Sequence, residues 1–221
     1  MSDPQNIRPR FVILISGQGS NMQAIVQACQ TGECAADVAA VIASRAETAG
    51  LTWAAEQGIQ TVGLAHTAFS SRESFDSALA QSIEQFEPDY VLLAGFMRVL
   101  TPGFVERFAG RLVNIHPSLL PAFPGLHTHA QALATGVQSH GCTVHFVTPV
   151  LDHGPIIAQG VVPVLNDDTP ETLAARVLGM EHHIYPQVAC WLAQGRIHLT
   201  SDQRVQVDGI TTRLFTSGQY L

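Results

Sequence analysis

The chain is poor in charge, and poorest in positive charge. Of its 221 residues only 13% are charged, and 11 Lys+Arg against 18 Asp+Glu leave a formal net charge of −7. That balance argues against a non-specific nucleic-acid binder, which needs a basic surface. It leaves room for an anionic small-molecule substrate, because backbone N–H groups alone can hold a phosphate. Long apolar runs are also missing. The longest, near Phe11–Ile15 and Tyr90–Met97, are strand-sized and far short of the ~20 residues that span a bilayer. The opening MSDPQNIRPR is polar, and the apolar stretch behind it is too short for a signal-peptide core. Cys29, Cys34, Cys142 and Cys190 form no CxxC pair, so they read as reduced, packed thiols. These absences predict a cytoplasmic protein with no membrane or nucleic-acid partner.

What is present suits a globular enzyme. With 46% apolar residues the chain can bury a sizeable core, and its length fits one domain or two fused halves. Strand-length apolar runs at Phe11–Ile15, Val38–Ala43, Gln60–Leu64, Tyr90–Ala94 and Leu112–His116 alternate with helical patterns. In the helix predicted over Ser71–Phe86, Phe75, Leu79, Ile83 and Phe86 recur every three or four residues. This rhythm predicts an α/β fold, a doubly wound and mostly parallel sheet with a Rossmann-like N-terminal half. After Pro117 the pattern changes. PSLLPAFPGLH reads as a fixed, irregular loop, followed by a helix over His129–Thr135 and strands at Cys142–Val147 and Ile156–Val164. Thr169-Pro-Glu-Thr172 opens a long helix toward Leu192, which Pro186 is expected to kink or split. Residues 196–221 read as short strands and a tail, so the C-terminal part is expected to mix strand directions.

Two constellations carry chemistry. Ser16-Gly-Gln-Gly-Ser-Asn21 lies between a strand and a helix, where small residues and free N–H groups suit an anion. A dinucleotide fingerprint is weakened by Met22 in the third glycine position and by the lack of an acidic residue near Ser44. A Walker loop is excluded, since no Gly-Lys-Ser/Thr follows. A monophosphate site and a bare tight turn both remain open. Asn114 and His116 stand two apart at the end of a strand, on one face. Beyond the carboxyl end of such a strand lies the usual ligand crevice of an open α/β sheet. An Asn amide can donate to a developing oxyanion, and a His can carry a proton near neutral pH. Asp152, in the Asp-His-Gly-Pro turn, is the candidate partner for that His. The competing readings are structural: a hydrogen-bonded His, a loop-capping Asn and a turn-forming Asp. The proline-rich loop after His116 favours the catalytic one, because its rigidity can hold a reacting group in place. No carboxylate pair suggests a glycosidase, and His127-x-His129 lacks a third ligand, so no metal site is predicted.

These stretches together resemble the phosphoribosylglycinamide formyltransferase family. The resemblance rests on Asn114-Ile-His-Pro-Ser-Leu-Leu-Pro121, on the loop ending in Asn21, and on Leu151-Asp-His-Gly-Pro155. Ala94-Gly-Phe-Met-Arg-Val-Leu100, Phe123-Pro-Gly-Leu-His-Thr-His129, Val144-His-Phe-Val147 and Glu181-His182 agree with it, so that it runs from about Phe11 to about Arg196. It implies formyl transfer from 10-formyltetrahydrofolate, a co-substrate, to glycinamide ribonucleotide in purine synthesis, without a metal. By the same resemblance Asn114, His116 and Asp152 are catalytic, and Gly19, Ser20, Asn21 and Glu181 bind the ribonucleotide. Arg72, Met97, Arg98, Val99, Leu100 and Asn114 surround the folate. The implied organisation is one formyltransferase domain over 1–221, with a nucleotide-binding half at 11–116 and a folate and catalytic half at 117–200. Gln18 and His153 depart from the common pattern without touching the catalytic set. The rivals are a formyltetrahydrofolate hydrolase, a methionyl-tRNA formyltransferase and a nucleotide-binding module without catalysis. The first usually carries an extra N-terminal domain and the second a basic C-terminal one, and neither is expected here. Oligomeric state stays open, a homodimer included.

Overall fold

Residues 8–216 are described by the computed structural model of the chain. Its first strand, β1 (Arg10–Ile15), shows why the sheet is covered on both sides. Phe11, Ile13 and Ile15 enter one core, Val12 and Leu14 the other, and all five are fully buried. A strand with no wet face belongs in the centre of a doubly wound sheet. The chain continues through α1 (Ser20–Thr31), β2 (Asp37–Ala43), α2 (Ala49–Glu56), β3 (Gln60–Gly63), α3 (Arg72–Glu84), β4 (Tyr90–Leu93), α4 (Pro102–Arg107) and β5 (Leu112–His116). It then runs through α5 (Thr128–Thr135), β6 (Ser139–Phe146), β7 (Ile156–Pro163), α6 (Pro170–Ala193), β8 (Ile197–Leu199), β9 (Val205–Val207) and β10 (Leu214–Thr216).

One sheet takes eight of these strands in the order β10-β7-β6-β5-β4-β1-β2-β3, while β8 and β9 pair as a separate antiparallel ribbon. β3, β2, β1, β4 and β5 are mutually parallel; β6 runs antiparallel to both β5 and β7. The expected α/β class, with a mixed C-terminal part, is what the chain adopts. Helix starts follow local chemistry. Ser71 and Thr169 cap α3 and α6 with capping boxes, and Thr101 caps α4 just before Pro102.

Two expectations need correction. Helix α6 is not split at Pro186: it continues from Pro170 to Ala193. Proline removes one N–H from the ladder. Ile184, Tyr185, Val188, Ala189, Trp191 and Leu192, all buried, hold the helix to the sheet on both sides of that gap. Strand β6 starts at Ser139 rather than Cys142, because its first residues pair with Val161–Pro163 of β7. As expected, the C-terminal segment forms short strands, with β8 and β9 paired to each other and β10 extending the main sheet beside β7; residues 217–221 of the expected tail lie outside the described residues.

Tyr185 locks α6 under the sheet at the place where the site is built. Its side chain is completely buried, and its hydroxyl lies 3.1 Å from the carbonyl oxygens of both Leu93 and Val113, so one O–H is shared between β4 and β5. Burial pushes the phenol well above its ordinary pKa, so it stays a donor. Removing that donor leaves buried carbonyls short of a partner. Tyr185→Phe should therefore lower the unfolding free energy by about 1–2 kcal/mol in urea titrations at unchanged m. A variant as stable as wild type would reduce Tyr185 to packing.

Candidate active site

The carboxyl ends of β1, β4 and β5 open onto one cleft. The chain moves outward from β1 to β2 and β3, then returns to β4 on the other side of β1. The segments leaving β1 and β4 therefore diverge, and a crevice opens between them. The cleft holds about 490 Å³, in the usual range for small-molecule sites. Gly95–Leu100 after β4 form one wall, and Gly125–His129 with Leu151 and Asp152 form the other. Asn21, Asn114, His116, His145 and Glu181 also line it. The wall after β4 is tied at both ends. Met97 N donates to Ser16 Oγ at 2.8 Å, and Thr101 N donates to buried Asp76 at 2.6 Å.

Asn114, His116 and Asp152 meet in this cleft. His116 Nε2 lies 3.0 Å from the Phe123 carbonyl, which can only accept, so Nε2 carries a proton. His116 Nδ1 faces Asp152 Oδ2 at 3.5 Å, longer than a good hydrogen bond, and that oxygen also accepts from Gly125 N at 2.9 Å. Nδ1 is thus the ring nitrogen left to exchange a proton. Asn114 Nδ2 lies 3.2 Å from His145 Nε2. Phe123, His127 and Asp152 all adopt left-handed backbone conformations, which for a bulky Phe persists only where surroundings enforce it.

Those surroundings are polar staples. Thr143 Oγ1 donates to Ser118 O at 2.7 Å and accepts from Leu120 N and Gln159 Nε2, each at 3.0 Å. Gln159 Nε2 also reaches Leu120 O, Ser118 Oγ donates to Ala122 O, and Thr128 Oγ1 donates to Pro117 O. The loop after His116 is thus held by β6 and β7 as well as by its own prolines.

At the other end of the cleft Asn21 Nδ2 donates to Glu181 Oε2 at 2.6 Å, with both side chains buried. Asn21 Oδ1 is buried without a partner. Gly19, in the left-handed conformation, caps α1 without any side-chain hydrogen bond, so no side chain occupies the helix's first N–H groups. Ser20 faces a second groove between α1 and α6. Among the described residues no group of three or more His, Cys, Asp or Glu is placed to hold a metal ion, and no helix is long and apolar enough to cross a membrane.

Residues 9–189 match the formyl transferase family. The chain is 52% identical over 189 residues to phosphoribosylglycinamide formyltransferase of Escherichia coli K12, covering 86% of this chain and 89% of that one. It belongs to the formyl transferase family. The phosphoribosylglycinamide formyltransferase of Coxiella burnetii superposes with a TM-score of 0.88 at 44% identity, over 95% of this chain and 100% of that one. A formyltetrahydrofolate deformylase from Pseudomonas putida is similar at 30% identity and TM-score 0.82, over 93% of this chain and 72% of its own.

Within this family frame the expected residues divide. Asn114, His116, Asp152, Asn21, Glu181, Met97, Arg98, Val99 and Leu100 line the one cleft. Gly19 and Ser20 sit at the helix start beside it. Arg72, exposed at the first position of α3, is not among the lining residues. The chain has no lysine, so any side-chain cation meeting an anionic substrate is a guanidinium or an imidazolium. Sequence reasoning missed His145, Thr143 and Gln159. The Val144-His-Phe-Val147 stretch was a signal for the first, and nothing local marked the others.

Burial raises the Glu181 pKa to about 7, against the smaller opposing effect of the Asn21 hydrogen bond. A carboxyl raised in the folded state binds more protons there than in the unfolded chain, so its contribution falls as pH rises from its ordinary value toward 7. Glu181→Gln keeps an acceptor for Asn21 and removes this titration. Between pH 5.5 and 8 the variant should gain about 2 kcal/mol relative to wild type in unfolding titrations. An unchanged difference across that range would mean that Glu181 ionises freely in the fold.

Proposed function

We propose that the protein transfers the formyl group of 10-formyltetrahydrofolate to the amine of glycinamide ribonucleotide, a step of purine (IMP) synthesis, in the cytoplasm. The observation that carries this reading is the convergence of Asn114, His116 and Asp152 on a cleft with two unlike ends. One end offers the first turn of α1 and the acceptors Asn21 Oδ1 and Glu181. These suit a phosphate and an amine. The other has apolar walls, including exposed Met97, Val99, Leu126 and Leu151, with backbone groups at Met97–Leu100 that suit a pterin. Arg98 lies at this end, and Arg72 lies beyond the lining, where it can meet only a tail that extends past it.

In the reaction the amine nitrogen bonds to the formyl carbon and negative charge gathers on the formyl oxygen. An N–H of Asn114 and the Nδ1 proton of His116 stabilise that oxygen; one such preorganised donor contributes about 3–4 kcal/mol. The bond from the formyl carbon to the folate nitrogen then breaks. The folate nitrogen takes the Nδ1 proton of His116 as it leaves, and the proton released by the amine then returns to Nδ1, directly or through a water held on Asp152. Asp152 orients the imidazole, fixed from its other edge by the Phe123 carbonyl.

Hydrolysis is the rival, and it would need neither Asn21 nor Glu181. The test measures loss of the formyl group from 10-formyltetrahydrofolate with and without glycinamide ribonucleotide. Transfer should require the ribonucleotide, whereas steady formate release without it would select the hydrolase. Asp152→Asn should fold, bind both substrates with KM values near wild type, and turn over at least ~100-fold more slowly. Near-normal turnover would leave Asp152 as a turn residue.

A further inference from the structure

Asn114 has to present a donor to the formyl oxygen, and an amide can equally well present its carbonyl. The neighbour that faces it is His145. In the antiparallel pairing of β5 with β6, Asn114 and His145 stand directly opposite each other, so their side chains share one face of the sheet. The register of β6 against β7 shifts between Val144 and His145, an irregularity of the kind that re-aims a side chain.

The ring's two contacts determine its tautomer. His145 Nδ1 lies 2.9 Å from the Phe146 carbonyl oxygen, which accepts only, so the proton sits on Nδ1. Burial holds the His145 pKa below its ordinary value; the Phe146 hydrogen bond and the Asp152 charge oppose this shift, and His116 adds to it. Asp152 and His116 are the titratable groups acting on the ring. At neutral pH the ring is therefore uncharged and Nε2 has a free lone pair. That lone pair, 3.2 Å from Asn114 Nδ2, can only accept. If the amide turned over, its carbonyl oxygen would face the lone pair, and two acceptors would meet in a buried place.

We infer that His145 is a positioning residue for formyl transfer: in its Nδ1–H tautomer it accepts one N–H of Asn114 and so fixes the amide with its second N–H available to the formyl oxygen. The inference rests on the proposed formyl transfer for its consequence, but the tautomer itself can be read without substrate. Replacing the ring by an apolar group removes the acceptor and frees the amide. Gln can restore one, since its Oε1 can reach the place of Nε2.

The test joins two readouts. In protein labelled with 15N-histidine, the His145 resonances are assigned by their disappearance in His145→Gln. Nε2 should give the shift of an unprotonated imidazole nitrogen and Nδ1 that of a protonated one, between pH 6.5 and 8. In steady-state assays His145→Leu should lose ~10–100-fold in kcat, with KM for both substrates within about threefold, and His145→Gln should recover to within about fivefold of wild type. A protonated Nε2 at neutral pH overturns the inference. So does a Leu variant with wild-type kcat, or a Gln variant as slow as the Leu variant. Should His145→Leu fail to fold, the wild-type tautomer and the turnover of the Gln variant decide the matter together. A wild-type protein without transferase activity would count against the proposed function, and the tautomer would still report on His145.

Discussion

The reversal of chain direction across the sheet between β1 and β4 is the constraint on which the rest depends. Because β2 and β3 are laid down on one side of β1 and β4 and β5 on the other, the segments leaving β1 and β4 part company at their carboxyl ends. The gap cannot close without breaking the parallel pairing that buries Val12, Leu14, Val91 and Leu93. Every chemically useful group is delivered to that gap: the glycine-rich turn from β1, the apolar wall from β4, and Asn114 and His116 from β5. Helix α6 then closes the structure from below, with Tyr185 fixing it to β4 and β5 and Glu181, one turn earlier, reaching the cleft.

Around this gap the protein holds polar groups that a core optimised for stability alone would not contain. A carboxyl lies buried at Glu181, and Asn21 Oδ1 has no partner. Phe123 has a left-handed backbone. Each is destabilising by itself. Phe123 is held in that conformation by a loop that Ser118, Thr143, Gln159 and Thr128 tie down with hydrogen bonds to β6, β7 and the loop's own backbone. Rigidity of that kind suits electrostatic catalysis, since donors already in place need no reorganisation during the reaction.

Much of this was legible in the sequence. The continuous apolar run Phe11–Ile15 and the spacing of Asn114 and His116 are local patterns, and both survive into the fold. Resemblance to a family added Asn21 and Glu181, 160 residues apart in sequence and 2.6 Å apart in space. What escaped depends on register. No feature of His145 shows that it will stand opposite Asn114, because β6 returns to pair with β5 only after the long loop and helix α5 between them. Thr143 and Gln159 look like ordinary strand residues until β6 and β7 bring them under the same loop. Pro186 does not split α6 for a related reason: local propensity marks a break, and burial on both sides of the proline overrides it.

The account's central claim is that the two substrates meet across the β1–β4 gap, with the reacting atoms over β5. A crystal structure with glycinamide ribonucleotide and a non-reactive folate analogue bound together tests it most directly. The phosphate should lie on the N–H groups at the start of α1, the amine beside Asn21 and Glu181, and the pterin against Met97–Leu100. The formyl-mimicking atoms should fall between Asn114 and His116 Nδ1. A ribonucleotide seated in the groove between α1 and α6, or a folate analogue bound along the β8–β9 ribbon, would contradict it.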